Sequence, residues 1–117
     1  MTRPVAACVV LVTTPVVADA ERIVQALVEE RLAACGNIVP AVSSIFTWQG
    51  ALERSAEVLV LLKTSQALLP ALTARVVEMH PYELPEILAV PVLGGLDAYL
   101  EWIEASTGPV PTGEEVD

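Results

Sequence analysis

Residues 37–64 read NIVPAVSSIFTWQGALERSAEVLVLLKT, and the division of this stretch decides the fold. It reads as two long strands folded back on each other. The first, 37–50, is apolar and β-branched but interrupted by Pro40, which has no N–H for a sheet ladder and so implies an edge, a bulge or a bend. Gln49-Gly50 supplies a hairpin tip. The return, 51–64, carries Glu53, Arg54 and Glu57 in a half expected to be exposed, then VLVLLK in a half expected to be buried.

Helical patterns lie on both sides of this hairpin. Upstream, Ile23, Val24, Leu27, Val28 and Leu32 form one stripe of a helix expected over 18–34, with Asp19 and Glu21 near its positive end. Cys35-Gly36 is expected to close that helix, with Gly36 taking a left-handed conformation. Downstream, Leu68, Leu69, Leu72, Val76 and Met79 predict a second helix over 65–79, with Ser65 as N-cap and Pro70 tolerable in its first turns. Continuous apolar runs at 5–13 (VAACVVLVT) and 87–92 (ILAVPV) read as core strands. Leu96, Tyr99, Leu100 and Ile103 mark a short last helix over about 96–105.

The order is β-α-β-β-α-β. It predicts an α+β, ferredoxin-like antiparallel sheet with two helices on one face and an additional short C-terminal helix. Residues 1–105 form a single domain in this reading, and 106–117 a flexible acidic tail. The helices leave one sheet face bare, and the last helix is too short to cover it.

Composition points the same way. The 117 residues are 54% hydrophobic and only 18% charged, against about 45–50% apolar residues in an average domain. Such a chain has few charges to cover its surface, which favours self-association. A net charge of −9 removes the basic footprint that nucleic acids or anionic membranes require. Two cysteines without CxxC spacing give no structural zinc site and suit a reducing, cytoplasmic setting.

The residues able to do chemistry are few. His80, the sole histidine, leaves the second helix in HPYELPE. It can cap the last helical carbonyls, or it can serve as a metal ligand or pocket acid/base. Pro81 and Pro85 stiffen this segment around Tyr82, Glu83 and Glu86; Glu83 is expected to be solvated and Glu86 to find a partner. Phe46 and Trp48 share one side of a strand, as packing or as an aromatic anchor. Lys63 ends a buried run without a glycine-rich phosphate cradle. No GxSxG elbow occurs, and nothing in the spacing joins Cys35 to His80 as nucleophile and base. These features do not make an enzyme.

The blocks LVEERLAACGNIVPAVSSIFTWQG, EVLVLLKT, HPYELPEILAVPV and YLEWI together resemble the CutA divalent-cation tolerance family, from about Val10 to Ile103. The resemblance implies a ferredoxin-like homotrimer, similar in architecture to the PII signalling proteins, that is non-enzymatic and binds or senses copper or another divalent cation with no required cofactor. It implies a cleft between subunits in which Asn37, Trp48, Lys63 and Tyr82 contact a small ligand and Cys35, His80 and Glu86 hold a metal ion. A PII-like effector module and a scaffold without a metal role are the alternatives. Gly36, Phe46 and Ala51 depart from the Val, Tyr and Lys usual in the family, and the last two departures remove polar groups near the hairpin.

Overall fold

The computed structural model describes residues 6–110. Four strands, β1 (Ala7–Thr14), β2 (Cys35–Trp48), β3 (Ala51–Ser65) and β4 (Ile87–Pro91), form one antiparallel sheet in the order β2-β3-β1-β4. Helices α1 (Val17–Glu29) and α2 (Leu69–Met79) connect β1 to β2 and β3 to β4, and α3 (Asp97–Ala105) follows the sheet. This is the expected ferredoxin-like α+β fold with its extra C-terminal helix. The acidic end of the expected tail, past residue 110, lies outside the described residues.

Strand periodicity sorts the apolar side chains. Val10 and Val12 of β1 and Val58, Val60 and Leu62 of β3 alternate onto the helix side, where they pack with Ala20, Ile23 and Leu27 of α1 and Leu72 and Val76 of α2. Their neighbours Val9, Leu11, Leu59 and Leu61 point to the other side and are only part-buried. On β4, Leu88 pairs with Leu11 and Val90 with Val9, so they join that second face, 58% and 48% exposed. The stretch expected as a core strand is thus an edge strand, and its outward row is open to solvent. Helix α3 covers only one end of this face, where Ile103 packs on Ala7 and Ala34.

The hairpin behaves as Pro40 and Gly50 suggest. Gln49 (φ 51°) and Gly50 (φ 82°) both lie in the left-handed region, the signature of a two-residue turn matched to strand twist. The register moves from Val39 opposite Leu59 to Val42 opposite Glu57. β2 therefore holds one extra residue at Pro40-Ala41, a β-bulge. Below it, odd-numbered residues of β2 face the open side; above it, even-numbered ones do. Phe46 and Trp48 consequently share a face with Cys35 and Asn37.

Helix α1 stops earlier than its pattern predicts. Arg31 takes the left-handed conformation (φ 60°), Leu32 N–H donates to Leu27 O at 2.9 Å, and Arg31 N–H to Val28 O at 3.1 Å, the paired bonds of a Schellman ending. A non-glycine residue there costs about 1 kcal/mol. The Arg31 side chain offsets it: Nε donates to Gly108 O and Nη2 to Ala105 O, both at 2.7 Å. Gly36, expected as the helix stop, sits instead in β2. A Cβ there would lie 2.8 Å from Val24 Cγ1 and 3.0 Å from Leu62 Cδ2, so glycine lets α1 approach the sheet. Helix α2 is preceded by a 3-10 turn, Gln66–Leu68; Ser65 makes no capping bond but pairs with the Thr107 hydroxyl at 2.8 Å.

Candidate functional site

The segment after α2 is held by the histidine that opens it. Pro81 favours extended backbone at the preceding residue, and His80 has φ −80°, ψ 138°. The residue is 8% exposed. Tyr82 N–H donates to Nδ1 at 3.1 Å, which makes Nδ1 the acceptor, so Nε2 carries the proton and donates to Thr13 O at 2.7 Å. His80 therefore does not cap helix carbonyls with its side chain. It ties the 80–86 segment to β1. The last carbonyl, Met79 O, accepts instead from Arg22 Nη2 at 3.1 Å. Both ring nitrogens are engaged, and neither is open to a ligand in this chain.

Tyr82 extends the tie. Its hydroxyl donates to Glu57 Oε2 at 3.0 Å, and its ring lies 4.9 Å from that of His80. Burial, then the bond to Glu57 and the negative charges of Glu57 and Asp19, push the Tyr82 hydroxyl up to about 12, so it stays a proton donor through the neutral range. Glu57 is the residue the sequence misplaces. Expected on the exposed half of β3, it is 8% exposed, because the 80–86 segment folds over it. Period two in EVLVLLK puts it on the same face as Lys63; that was the available signal.

Between this segment and the hairpin lies an open cleft of about 680 Å³. Phe46 and Trp48 form its hairpin wall, with Glu53 beside them and Glu57 at the base. Pro81, Tyr82, Glu83, Leu84 and Glu86 form the opposite wall, and Thr13 joins them from β1. Four of the ten lining residues are glutamates and none is lysine or arginine, so the cleft is strongly negative.

The expected site residues fall into two groups on one sheet face. Trp48, Tyr82 and Glu86 line the cleft, with His80 behind them. Cys35, Asn37 and Lys63 lie toward the other end of the face: Cys35 pairs across from Lys63 and Asn37 from Leu61. Cys35 Sγ is 3.6 Å from the Tyr99 hydroxyl on α3, and Tyr99 stacks near Trp102. That sulfur contact, ahead of burial, raises the Tyr99 hydroxyl above its ordinary range. Lys63 pairs with Val9, whereas His80 bonds Thr13. Four residue steps along β1, from Val9 to Thr13, separate the two rows, about 13 Å along the strand. One chain thus does not bring Cys35 to His80 or Glu86. Among the described residues no group of three or more His, Cys, Asp or Glu is placed to hold a metal ion, and no helix is long and apolar enough to cross a membrane.

Comparison with known proteins adds the following. The family model described as "CutA1 divalent ion tolerance protein" matches residues 8–106. The "Divalent-cation tolerance protein CutA" of Thermus thermophilus is 49% identical over 100 residues, covering 86% of this chain and 97% of that protein. The chloroplastic "Protein CutA" of Arabidopsis thaliana is 42% identical over 105 residues, 90% of this chain but 58% of that longer protein. A solved structure of the Thermus thermophilus divalent cation tolerance protein superposes with a TM-score of 0.86 at 48% identity, covering 87% of this chain and 99% of that one.

Proposed function

The chain belongs to the CutA1 divalent ion tolerance protein family, and we propose that it acts in divalent-cation tolerance as a non-enzymatic homotrimer that takes up a metal ion or small ligand between its subunits. One observation carries this reading. The face opposite α1 and α2 is apolar and covered only at its ends, with Leu88 58% and Val90 48% exposed, and every expected ligand-contacting residue lies on it or beside it. Copies packed through that face bury its apolar surface and bring the Cys35 end of one chain toward the cleft end of another. The unpaired edges of β2 and β4 offer further ladder positions for a neighbour.

Copper or another divalent cation is the ion this reading assigns. Cys35 is the soft ligand and Glu86 the carboxylate; His80 becomes a ligand only where the Tyr82 N–H bond to Nδ1 opens. Two free cysteines, Cys8 and Cys35, agree with a cytoplasmic setting.

Two measurements test the proposal. Sedimentation at micromolar concentration is expected to give three times the chain mass, and a monomer removes the shared site. Calorimetric titration with copper is expected to show binding that Cys35→Ala and Glu86→Ala weaken and His80→Ala changes less. Equal binding by all four proteins means the ligand set is wrong. The size of the cleft supports a second reading, a PII-like module that takes a small effector; native mass spectrometry of the purified protein would find that molecule.

A further inference from the structure

The open face carries a lysine without a counter-charge. Lys63 is the sole lysine of the chain and is part-buried on that face. Its cross-strand neighbours are Val9 on β1 and Cys35 on β2, neither of them an acid. The ion pairs of the described residues lie elsewhere, at Asp19–Arg22, Glu30–Arg75 and Arg75–Glu78. The carboxylates of the same face are gathered at its other end, in the cleft lined by Glu53, Glu57, Glu83 and Glu86. Six residue steps along β3 separate Lys63 from Glu57, about 20 Å, which is longer than a lysine side chain spans. The lysine therefore does not reach the cleft of its own chain.

Covering this face makes the separation matter. An ammonium group shut in by apolar surface without an anion is costly, so a neighbour that covers the surroundings of Lys63 must bring a carboxylate. A second copy brings only what this chain carries, and on this face the carboxylates are those of the cleft. Glu57, at the base, is already bonded by Tyr82 at 3.0 Å. Glu53 stands out on the hairpin, and Glu83 lies in the bend after His80. Glu86 is exposed, lines the cleft and directly precedes β4, whose outward row of Leu88 and Val90 is the apolar surface to be covered. The two ends of the face are thus complementary in charge. Acid end against lysine end draws copies together in one register, and acid end against acid end repels.

We propose that Lys63 of one copy enters the cleft of the next and pairs with Glu86 there, so that each cleft is completed by a residue of its neighbour. The proposal rests on the assembly of copies through the open face and names the charges that meet in it. Cys35, opposite Lys63 in the ladder, is brought to the cleft by the same contact. The pairing does not depend on metal binding.

A carbodiimide tests this on the full chain. It joins a lysine amine to a carboxylate in direct contact as an amide, and the reagent takes up the water lost in forming that bond. With one lysine in the sequence and the cleft out of its reach within one chain, the expected product is covalently joined chains whose linked peptide contains Lys63 and Glu86. Glu86→Gln is expected to abolish that linked peptide. Lys63→Glu and Glu86→Lys each set like charges together and are expected to raise the dissociation constant, read by sedimentation over a dilution series, about tenfold or more. Glu86→Lys changes an exposed side chain ahead of β4, so its effect is free of a folding role. The double reversal, Lys63→Glu with Glu86→Lys, is expected to return the constant to within about threefold of the starting protein. Lys63→Glu with Glu83→Lys is expected to recover less. The proposal is overturned if no joined chains form from the assembled protein, if Lys63 is joined chiefly to another carboxylate, or if the double reversal assembles no better than the single ones. Those results leave the assembly itself standing, whereas a starting protein that sediments as a monomer removes the assembly and this contact with it.

Discussion

The two faces of the sheet are built from the same residue types and meet different fates. Toward the helices, Val10, Val12, Val60 and Leu62 are fully buried. One residue along, Val9, Leu11, Leu59 and Leu61 are only part-buried, and Leu88 and Val90 stand largely in water. Strands apolar on both sides are those of a sheet covered on both sides, and one chain supplies one cover. The helix face makes the fold. The open face keeps its apolar surface, the cysteine and the cleft, and is where function is expected.

Leu62 and Leu61 put this contrast to its severest test. Leu62→Ala is expected to lower the free energy of unfolding in urea by about 2–5 kcal/mol, the usual cost of emptying a core leucine site. Leu61→Asp is expected to leave the circular dichroism of the fold in place and reduce the sedimenting mass. If both substitutions act on unfolding alike, the two faces do not differ as described.

Gly36→Val tests how closely the helix face is packed. Its Cβ would meet the stiff, β-branched Val24 side chain at 2.8 Å, and overpacking of this kind costs about 1–3 kcal/mol. Val24→Ala in the same protein should restore part of the loss, and no recovery in the double variant would place the strain elsewhere.

On the open face, Tyr82 gives a pH signature. Its proton is held more tightly in the folded chain, with the hydroxyl raised from 10.0 to about 12. Its contribution is therefore complete below pH about 10 and is lost as pH rises toward 12. Tyr82→Phe should flatten that part of the stability profile; an unchanged slope would show that the Glu57 bond does not carry it.

The smallest effect is expected at Arg75, whose guanidinium bonds both oxygens of Glu30 at 2.9–3.2 Å on an exposed surface. The bond to Arg75 holds the Glu30 carboxyl below its ordinary range. Its contribution is present above that range and is lost as pH falls through the lowered value. Screening by water keeps it slight. Arg75→Ala should scarcely move the urea midpoint at neutral pH and should remove this acid-side dependence.

Much of the fold was legible because burial imposes two periods. Apolar, β-branched runs on either side of Gln49-Gly50 marked the hairpin strands, and the spacing of Ile23, Leu27, Leu72 and Val76 marked both helices. What escaped depends on distant partners. The end of α1 at Arg31 is stabilised by carbonyls 74 and 77 residues away, and nothing in the local residues announces it. Gly36 looked like a helix stop because glycine serves both chain reversal and close approach. Glu57 looked solvated because its partner, Tyr82, is 25 residues downstream. The site divided in the same way: the family resemblance named its residues, but only the folded chain shows that Cys35, Asn37 and Lys63 lie at one end of the open face and Trp48, Tyr82 and Glu86 at the other.

The extra residue at Pro40-Ala41 changes the numbering of the outer hairpin and not its facing. Beyond the bulge the side of each residue is set by its partner on β3, which runs without a break from Leu59 to Glu53. Deleting one residue there while Phe46 stays opposite Glu53 would leave Phe46 and Trp48 on the cleft side. Adding one residue to each strand at that level would instead turn the whole outer half over and send both aromatics away from the cleft. The bulge works like a silent insertion in a reading frame: the unbroken strand keeps the frame, and only a change that lengthens both strands together alters the meaning.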